Sequence, residues 1–282
     1  MRVVEPRIAD QQARGWKACL SLAFGLDGRR TTLRRKVHDG PLVVQKPLYP
    51  EGEALCHAIV VHPPGGIAGG DELRIDARVC AGAAALLTTP GAAKWYRSNG
   101  PLARQAVALD VQGSLEWLPQ EAIVFDGARA ESSLEADLDA DARFLGWDIV
   151  CLGRTGSGEA FTRGSYRTRI GIRRQGRPLW VERGRIDGGS ALLASPAGLG
   201  GHPVFGTLFA CAPGLGRDQL NAVRAVEPES GHGAATLLPG ILLGRYLGDS
   251  SEDARRYFVA LWRRLRPALV DREAHEPRIW RT

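Results

Sequence analysis

The chain lacks most of the short patterns that announce chemistry. Its five cysteines, Cys19, Cys56, Cys80, Cys151 and Cys211, are odd in number and widely spaced, with no Cys-x-x-Cys pair. That excludes a zinc ribbon and a thioredoxin-type redox motif. None of the six histidines forms His-x3-His or His-Glu-x2-His, and no Gly-x-Ser-x-Gly elbow occurs. A local zinc-protease site and a serine-hydrolase elbow are therefore absent. No apolar run approaches the ~20 residues needed to cross a bilayer, and Met1 to Asp10 carries charges without an apolar leader core. The expectation is a cytoplasmic protein with reduced thiols and no membrane partner. Lysine is scarce, with only Lys17, Lys36, Lys46 and Lys94. The net charge of +6 comes from arginines scattered end to end. Without a compact basic block, the charge is read as serving solubility, and no nucleic-acid partner is expected. No repeat of fixed period is present, so helical repeats and coiled coils are unsupported.

What is present is a chain of 282 residues, 44% apolar, punctuated by 35 glycines and 17 prolines. That suffices for a substantial core in one large domain. Leu73, Ile75, Ala77 and Val79 alternate with Arg74, Asp76 and Arg78, the period of a half-buried strand. Similar patterns fall at 84–89, 106–111, 134–138, 147–152, 167–173 and 178–183, with turn dipeptides such as Gly40-Pro41, Asn99-Gly100 and Asp126-Gly127 between strands. Arg217 to Val226 reads as a short helix. Ser251 to Arg266 is the clearest helix, with Ala254, Phe258, Leu261 and Leu265 at helical spacing, Ser250 and Asp253 as a capping pair, and Pro267 expected just past its end. The predicted fold is mainly β: a β-stranded body, β-helix-like or multi-sheet, over about residues 1–210. A small α/β part at about 211–282 carries the helix, and residues 1–282 are taken as a single domain.

Two glycine-rich segments invite functional readings. Gly153 to Glu159 resembles a phosphate loop, but Glu159 stands where the phosphate-neutralising lysine belongs. A tight turn is the ordinary reading. His62-Pro-Pro-Gly-Gly-Ile-Ala-Gly-Gly-Asp71 is either a wide turn or a rigid loop presenting Asp71 to an ion or partner. Carboxylates within apolar strands are more informative, because desolvating a charge is costly. Asp148 lies in Trp-Asp-Ile-Val, Glu182 follows Leu179-Trp180-Val181, Glu121 precedes Ala-Ile-Val-Phe, and Glu116 adjoins Trp117. Either each acid sits on a wet strand face, or several point into an internal, water-filled path. A carboxylate-pair hydrolase and a basic nucleic-acid-binding β protein are the alternatives from other functional classes.

The ordered series of motifs resembles one family, the urease accessory protein D family. It includes Gly15-Trp16-Lys17-Ala18, Gly40-Pro-Leu-Val-Val-Gln45, Leu48-Tyr-Pro-Glu-Gly52 and the His62–Asp71 segment. It continues through Leu87-Thr-Thr-Pro-Gly-Ala-Ala-Lys-Trp-Tyr-Arg97, Leu115-Glu-Trp-Leu-Pro-Gln-Glu121 and Trp147-Asp-Ile-Val-Cys-Leu-Gly-Arg154, and closes at Pro277-Arg-Ile-Trp-Arg-Thr282. The resemblance runs from residue 15 to the C-terminus and is thinnest over 188–248. It implies a non-catalytic urease maturation factor that binds urease apoprotein and accessory protein F, and through F the GTPase accessory protein G. It also implies no permanently bound cofactor, only nickel in transit. On that basis Asp71, Asp148 and Glu182, with Glu121, Thr88 and Thr89, are the candidate lining of a nickel route. Carboxylates, hydroxyls and water suit weak, releasable binding better than a thiolate cluster does. Trp262, Arg263, Arg278, Ile279 and Trp280 are the candidate partner-binding residues.

Overall fold

A computed structural model describes residues 15–281. The leader reading at Met1 to Asp10 and the terminal Thr282 lie outside the described residues. The architecture follows from strands that alternate between two stacked sheets as the chain advances. The first coil contributes β1 (Lys17–Asp27) to one sheet and β4 (Leu55–Val61) to the other, with β2 (Arg30–Asp39), β3 (Val43–Val44) and the short β5 (Gly66–Ile67) between and after them. The second coil repeats this as β6 (Glu72–Val79), β7 (Ala84–Thr88) and β8 (Ala93–Trp95). The third is β9 (Ala103–Val111), β10 (Ser114–Leu118) and β11 (Ala122–Val124). Then follow β12 (Arg129–Leu138), β13 (Arg143–Leu152), β14 (Ser165–Arg174) and β15 (Arg177–Asp187).

Each strand pairs in parallel with its counterpart one coil away: β1 with β6, β6 with β9, β9 with β12 and β12 with β14 in the first sheet. In the second sheet β4 pairs with β7, β7 with β10 and β10 with β13. β5, β8 and β11 stack in parallel as a narrow third side. This is a short β-helix-like solenoid, one of the two forms expected, with antiparallel strands added at its ends. Gly113 shows why the coils stack so closely at one turn: a Cβ there would lie 2.2 Å from the Ala83 carbonyl oxygen. After a single helical turn, α1 (Ala191–Ala194), the C-terminal part extends the second sheet with β16 (Val204–Cys211), β17 (His232–Leu238) and β18 (Ile241–Gly248). It also contributes α2 (Arg217–Arg224) and α3 (Ser251–Val270).

Period-two alternation sorts the side chains into two apolar layers. Leu73, Ile75, Ala77 and Val79 of β6 join Phe144 and Val150 of β13 between the sheets. Leu145, Trp147 and Ile149, on the other face of β13, pack against Phe258, Leu261, Trp262 and Leu265 of α3. The Ser250 hydroxyl caps α3 by accepting from the Asp253 backbone N–H at 3.1 Å. The expected stop at Pro267 is corrected: the helix runs through it to Val270 and ends at Asp271, whose φ is 55°. A proline in a helix normally forfeits one backbone hydrogen bond and disfavours helical backbone at the residue before it. That residue is Arg266, which is fully buried and held on both flanks by carboxylates, and this outweighs the local preference.

Candidate functional site

Between the sheets lies a cavity of about 70 Å³ lined by Gln105, Gln120, Ser132, Thr168 and Asp148 among apolar walls that include Trp95 and Trp117. It shares Ile75, Thr89, Ala93 and Gln105 with a second cavity of about 260 Å³, bordered by His62, Gly65, Gly66 and Pro90 to Lys94. The two are neighbours with a common wall of lining residues, the larger bordering the third side of the solenoid and the smaller reaching Asp148. Asp148 stands on the inward face of β13, in phase with Val150 and Leu152. It keeps some accessible surface, yet protein encloses it on every side, so that surface faces the cavity. Burial pushes its carboxyl pKa from 3.8 up to about 6, and the nearby charge of Glu182 adds to the rise.

The cavity has unmet polar demand. Among the described residues no side chain or backbone group hydrogen-bonds the Asp148 carboxylate. The buried Trp95 Nε1, on the cavity wall, also has no partner, whereas the buried Tyr166 hydroxyl lies beside Ser132 and Thr168. Buried polar atoms are nearly always satisfied, so an unbonded carboxylate and an orphaned indole N–H on one cavity mark a place for water or an ion.

Deeper across the same sheet face, register places Asp148 beside Thr207 of β16 and Thr207 beside Arg245 of β18. Arg245 donates to Thr207 Oγ1 at 2.7 Å and grips Glu182 of the opposite sheet through both oxygens, at 2.9 and 3.3 Å. Trp180 Nε1 donates to the same carboxylate at 3.2 Å. Glu182 is thus close enough to Asp148 to affect it, but its own charge is already answered. Thr207 and Arg245 were missed by sequence reading. The signal was available for Arg245, a lone charge inside the apolar strand Ile241–Gly248, the same criterion that singled out the acids.

The other sequence candidates lie elsewhere or have other duties. Asp71 is buried, and its two oxygens accept from the Trp16 and Ala68 backbone N–H groups, each at 2.7 Å. It fixes the glycine-rich loop at the mouth, beside His62, whose pKa burial lowers against the opposing pull of Asp71. Thr89 lines both cavities. Thr88 is buried and bonds the Leu118 carbonyl at 2.5 Å while accepting from Trp280 Nε1 at 2.8 Å. Glu121 does not line the cavity; its charge lies near Cys151, whose thiol pKa is raised by burial first and by Glu121 in addition. His57 and His62 are not brought together. The former bonds Glu51 at 2.9 Å beneath α3, and the latter borders the outer cavity.

Of the candidate partner-binding residues, Trp262 and Trp280 are interior, their ring centroids 5.9 Å apart. Arg263 and Arg278 are exposed, and Ile279 is half-buried. Arg263 pairs with Glu276. Gly153 to Glu159 is a turn in which Arg154 pairs with Glu159 at 2.9 Å, leaving no phosphate cradle.

A second polar cluster, unrelated to the cavity, was only partly foreseen. Arg266 donates to Glu116 at 2.9 Å and to Glu51 at 2.7 Å, and Trp262 Nε1 donates to Glu116 at 2.6 Å. Burial works to raise the Glu51 pKa, but hydrogen bonds from His57 and Arg266 outweigh it and bring the value down to about 2. At another corner Asp126 accepts from the Thr162 and Arg163 backbone N–H groups, each at 2.8 Å, and from the Arg163 guanidinium. Those bonds overcome its burial and hold its carboxyl well below the usual range.

No three histidine, cysteine or carboxylate side chains are gathered to hold a metal among the described residues. No helix of the described chain is long and apolar enough to cross a membrane. The fold and the site together define a β-helix-like solenoid with an inward acid, Asp148, on an internal polar cavity. The sequence profile of the UreD urease accessory protein family matches residues 17–281, and the chain belongs to that family. It is 54% identical to the urease accessory protein UreD of Azoarcus sp. strain BH72 over 270 residues, 95% of each chain. It is also 54% identical to that of Dechloromonas aromatica over 275 residues, 95% of each. With that of Nitrosococcus oceani it shares 48% over 279 residues, 98% of this chain and 94% of the relative. The protein is a urease maturation factor and not an enzyme.

Proposed function

We propose that this chain conducts nickel toward urease through the recess between its sheets. In this reading it acts in the cytoplasm as a scaffold that contacts urease apoprotein and accessory protein F, and through F the GTPase accessory protein G. The observation that carries the reading is Asp148. It is an inward carboxylate with no hydrogen-bond partner among the described residues, on a cavity whose wall also carries the orphaned Trp95 Nε1 donor. A carboxylate pushed up to about 6 is still mostly ionised at neutral pH, so it attracts a cation that water accompanies. A single acid among hydroxyls and amides binds weakly enough to release its cargo. Arg245 neutralises Glu182, which leaves Asp148 as the principal attractive charge inside and assigns Glu182 to shaping the far end. Asp71 serves the route indirectly by fixing the mouth loop.

The test is nickel per urease active site in cells that express urease with its other accessory proteins. This chain is absent, wild type, or carries Asp148→Asn. Loading that requires the wild-type chain and fails with a folded, still complex-forming Asp148→Asn variant is the expected result. Equal loading by the variant would remove Asp148 from the route. Equal loading without the chain would end the conduit reading altogether.

A further inference from the structure

The third side of the solenoid carries an exposed surface beside the larger cavity. Gly66 of β5 pairs with Lys94 of β8, and both residues border that cavity. Tyr96, just beyond β8, rests so closely on Gly66 that a Cβ there would lie 2.2 Å from its ring. The Tyr96 ring meets Phe125 edge to face at 5.2 Å, and the Arg154 guanidinium covers the Phe125 ring at 4.8 Å. Next in the chain, Asp126 holds Arg163 at 2.8 Å and has Arg97 at 4.0 Å. One contiguous surface therefore runs from the cavity edge at Lys94 to the Gly153–Glu159 turn, whose glycines present Arg154 rather than a phosphate cradle.

Charge of one sign faces outward here. The Arg97, Arg154 and Arg163 side chains are 60%, 47% and 67% exposed, whereas Asp126 and Glu159 are only 8% and 20% exposed. Lys94 is exposed and has no ion pair among the described residues. The first sheet is different: Arg78 and Asp110 pair across it at 55% and 52% exposure. A face that serves solubility alone mixes the signs in that second way. The inward acids also fix the cations. Arg154 gives Nε and Nη2 to Glu159, and Arg163 gives the same two nitrogens to Asp126. Each guanidinium keeps Nη1 for a carboxylate from outside, and little rotamer freedom remains to be lost on docking.

We propose that this surface docks a protein partner that presents carboxylates, seated over the edge of the larger cavity. Arginine and tyrosine around a half-buried aromatic centre are the composition of interface anchors. A partner held there would also cover the cavity and keep an ion from escaping to solvent. Phe125 is covered by Arg154 and Tyr96 rests on Gly66, so the patch lacks the row of open ring faces on which single-stranded nucleic acid stacks.

The proposal rests on the maturation role above, from which its two probes are taken, urease apoprotein and accessory protein F. Each, purified, is titrated onto the immobilised full chain without nickel, at about 0.05 and 0.5 M NaCl, and binding is read by interferometry. Lys94→Glu with Arg97→Glu is the test variant. Arg78→Glu with Arg183→Glu, both exposed on the first sheet, is the control of equal charge change. The test variant is expected to weaken binding of one partner at least about tenfold, and the wild-type complex should weaken at the higher salt. The control, and Lys94→Arg with Arg97→Lys, should bind as wild type does, with circular dichroism unchanged. Lys94→Ala with Arg97→Ala repeats the test where the charge reversal disturbs the fold. Asp148→Asn should bind both partners normally, so docking stands even where the conduit reading fails. The proposal is overturned if the test variant binds both partners as wild type does, or if the control costs as much. It is also overturned if the test variant loses only binding to an oligothymidine of about 20 nucleotides, which would make the surface a nucleic-acid site.

Discussion

Replacing Asp148 by asparagine should make the protein more stable at neutral pH while it impairs function. The carboxyl has a pKa of 3.8 in an unfolded chain and about 6 in the fold. The folded state therefore binds the proton more tightly, and stability falls as pH rises from about 4 to about 6, then levels off. The integrated penalty at pH 7 is about 2 pKa units, or on the order of 3 kcal/mol at ~1.4 kcal/mol per unit. The side chain's residual exposure softens this, so about 1.5–3 kcal/mol is expected. The replacement side chain is isosteric and uncharged, and removing the penalty should raise the melting temperature by about 3–10 °C at pH 7 for a chain of this size. At pH 4 the wild type is protonated at this position and the gain should vanish. Differential scanning calorimetry of both proteins at pH 4 and pH 7 is the assay. An Asp148→Asn variant that melts lower at pH 7, or that gains equally at both pH values, would refute the claim that an uncompensated charge sits in the cavity.

Arg266→Ala would strand the buried Glu51 and Glu116 carboxylates and should cost about 3–5 kcal/mol, read as a lowered urea midpoint. Adding Glu51→Gln and Glu116→Gln to Arg266→Met should recover much of that loss, since neutral groups in the same space carry no unpaired charge. The depressed Glu51 pKa, 4.5 unfolded against about 2 folded, supplies stability present above pH 4.5 and lost as pH falls toward 2. Glu51→Gln should flatten the pH dependence of the urea midpoint over that window, and an unchanged slope would place the acid sensitivity elsewhere. Pro267→Ala restores an N–H inside α3 and should stabilise by about 1–3 kcal/mol, visible as a higher melting temperature. A loss instead would show that the Arg266 clamp requires the proline ring.

Strand content was legible because alternation is local: Leu73 to Val79 reveals its buried face without any partner. The solenoid was legible only as a class, because the sequence does not say that Leu73 pairs with Gln105, one coil on. Asp148 could be found because an acid in an apolar strand is locally improbable. What surrounds it could not, since Thr207 and Arg245 arrive from strands 59 and 97 residues later. The same distance effect hid the pairing of Glu182 with Arg245, 63 residues apart. The arginine-rich surface of α3 and the terminal Arg-Ile-Trp-Arg suggested exposed aromatics. Trp262 and Trp280 instead fill the layer under the helix, where their indole N–H groups reach Glu116 and Thr88. Pro267 was read as a stop because local propensity contains no information about a clamp built from residues 51 and 116.

The clamp also sets an order of events during synthesis. Arg266 joins partners 150 and 215 positions earlier in the chain, so Glu51 and Glu116 leave the ribosome long before the cation that answers them. Until then the second sheet has its strands but neither its helical cover nor its charge balance. The nascent solenoid exposes the apolar face that carries Leu145, Trp147 and Ile149, an invitation to association in a crowded cell. The last turns of α3 thus close that face: the apolar side of the second sheet stays open until the residues around Arg266 have been made.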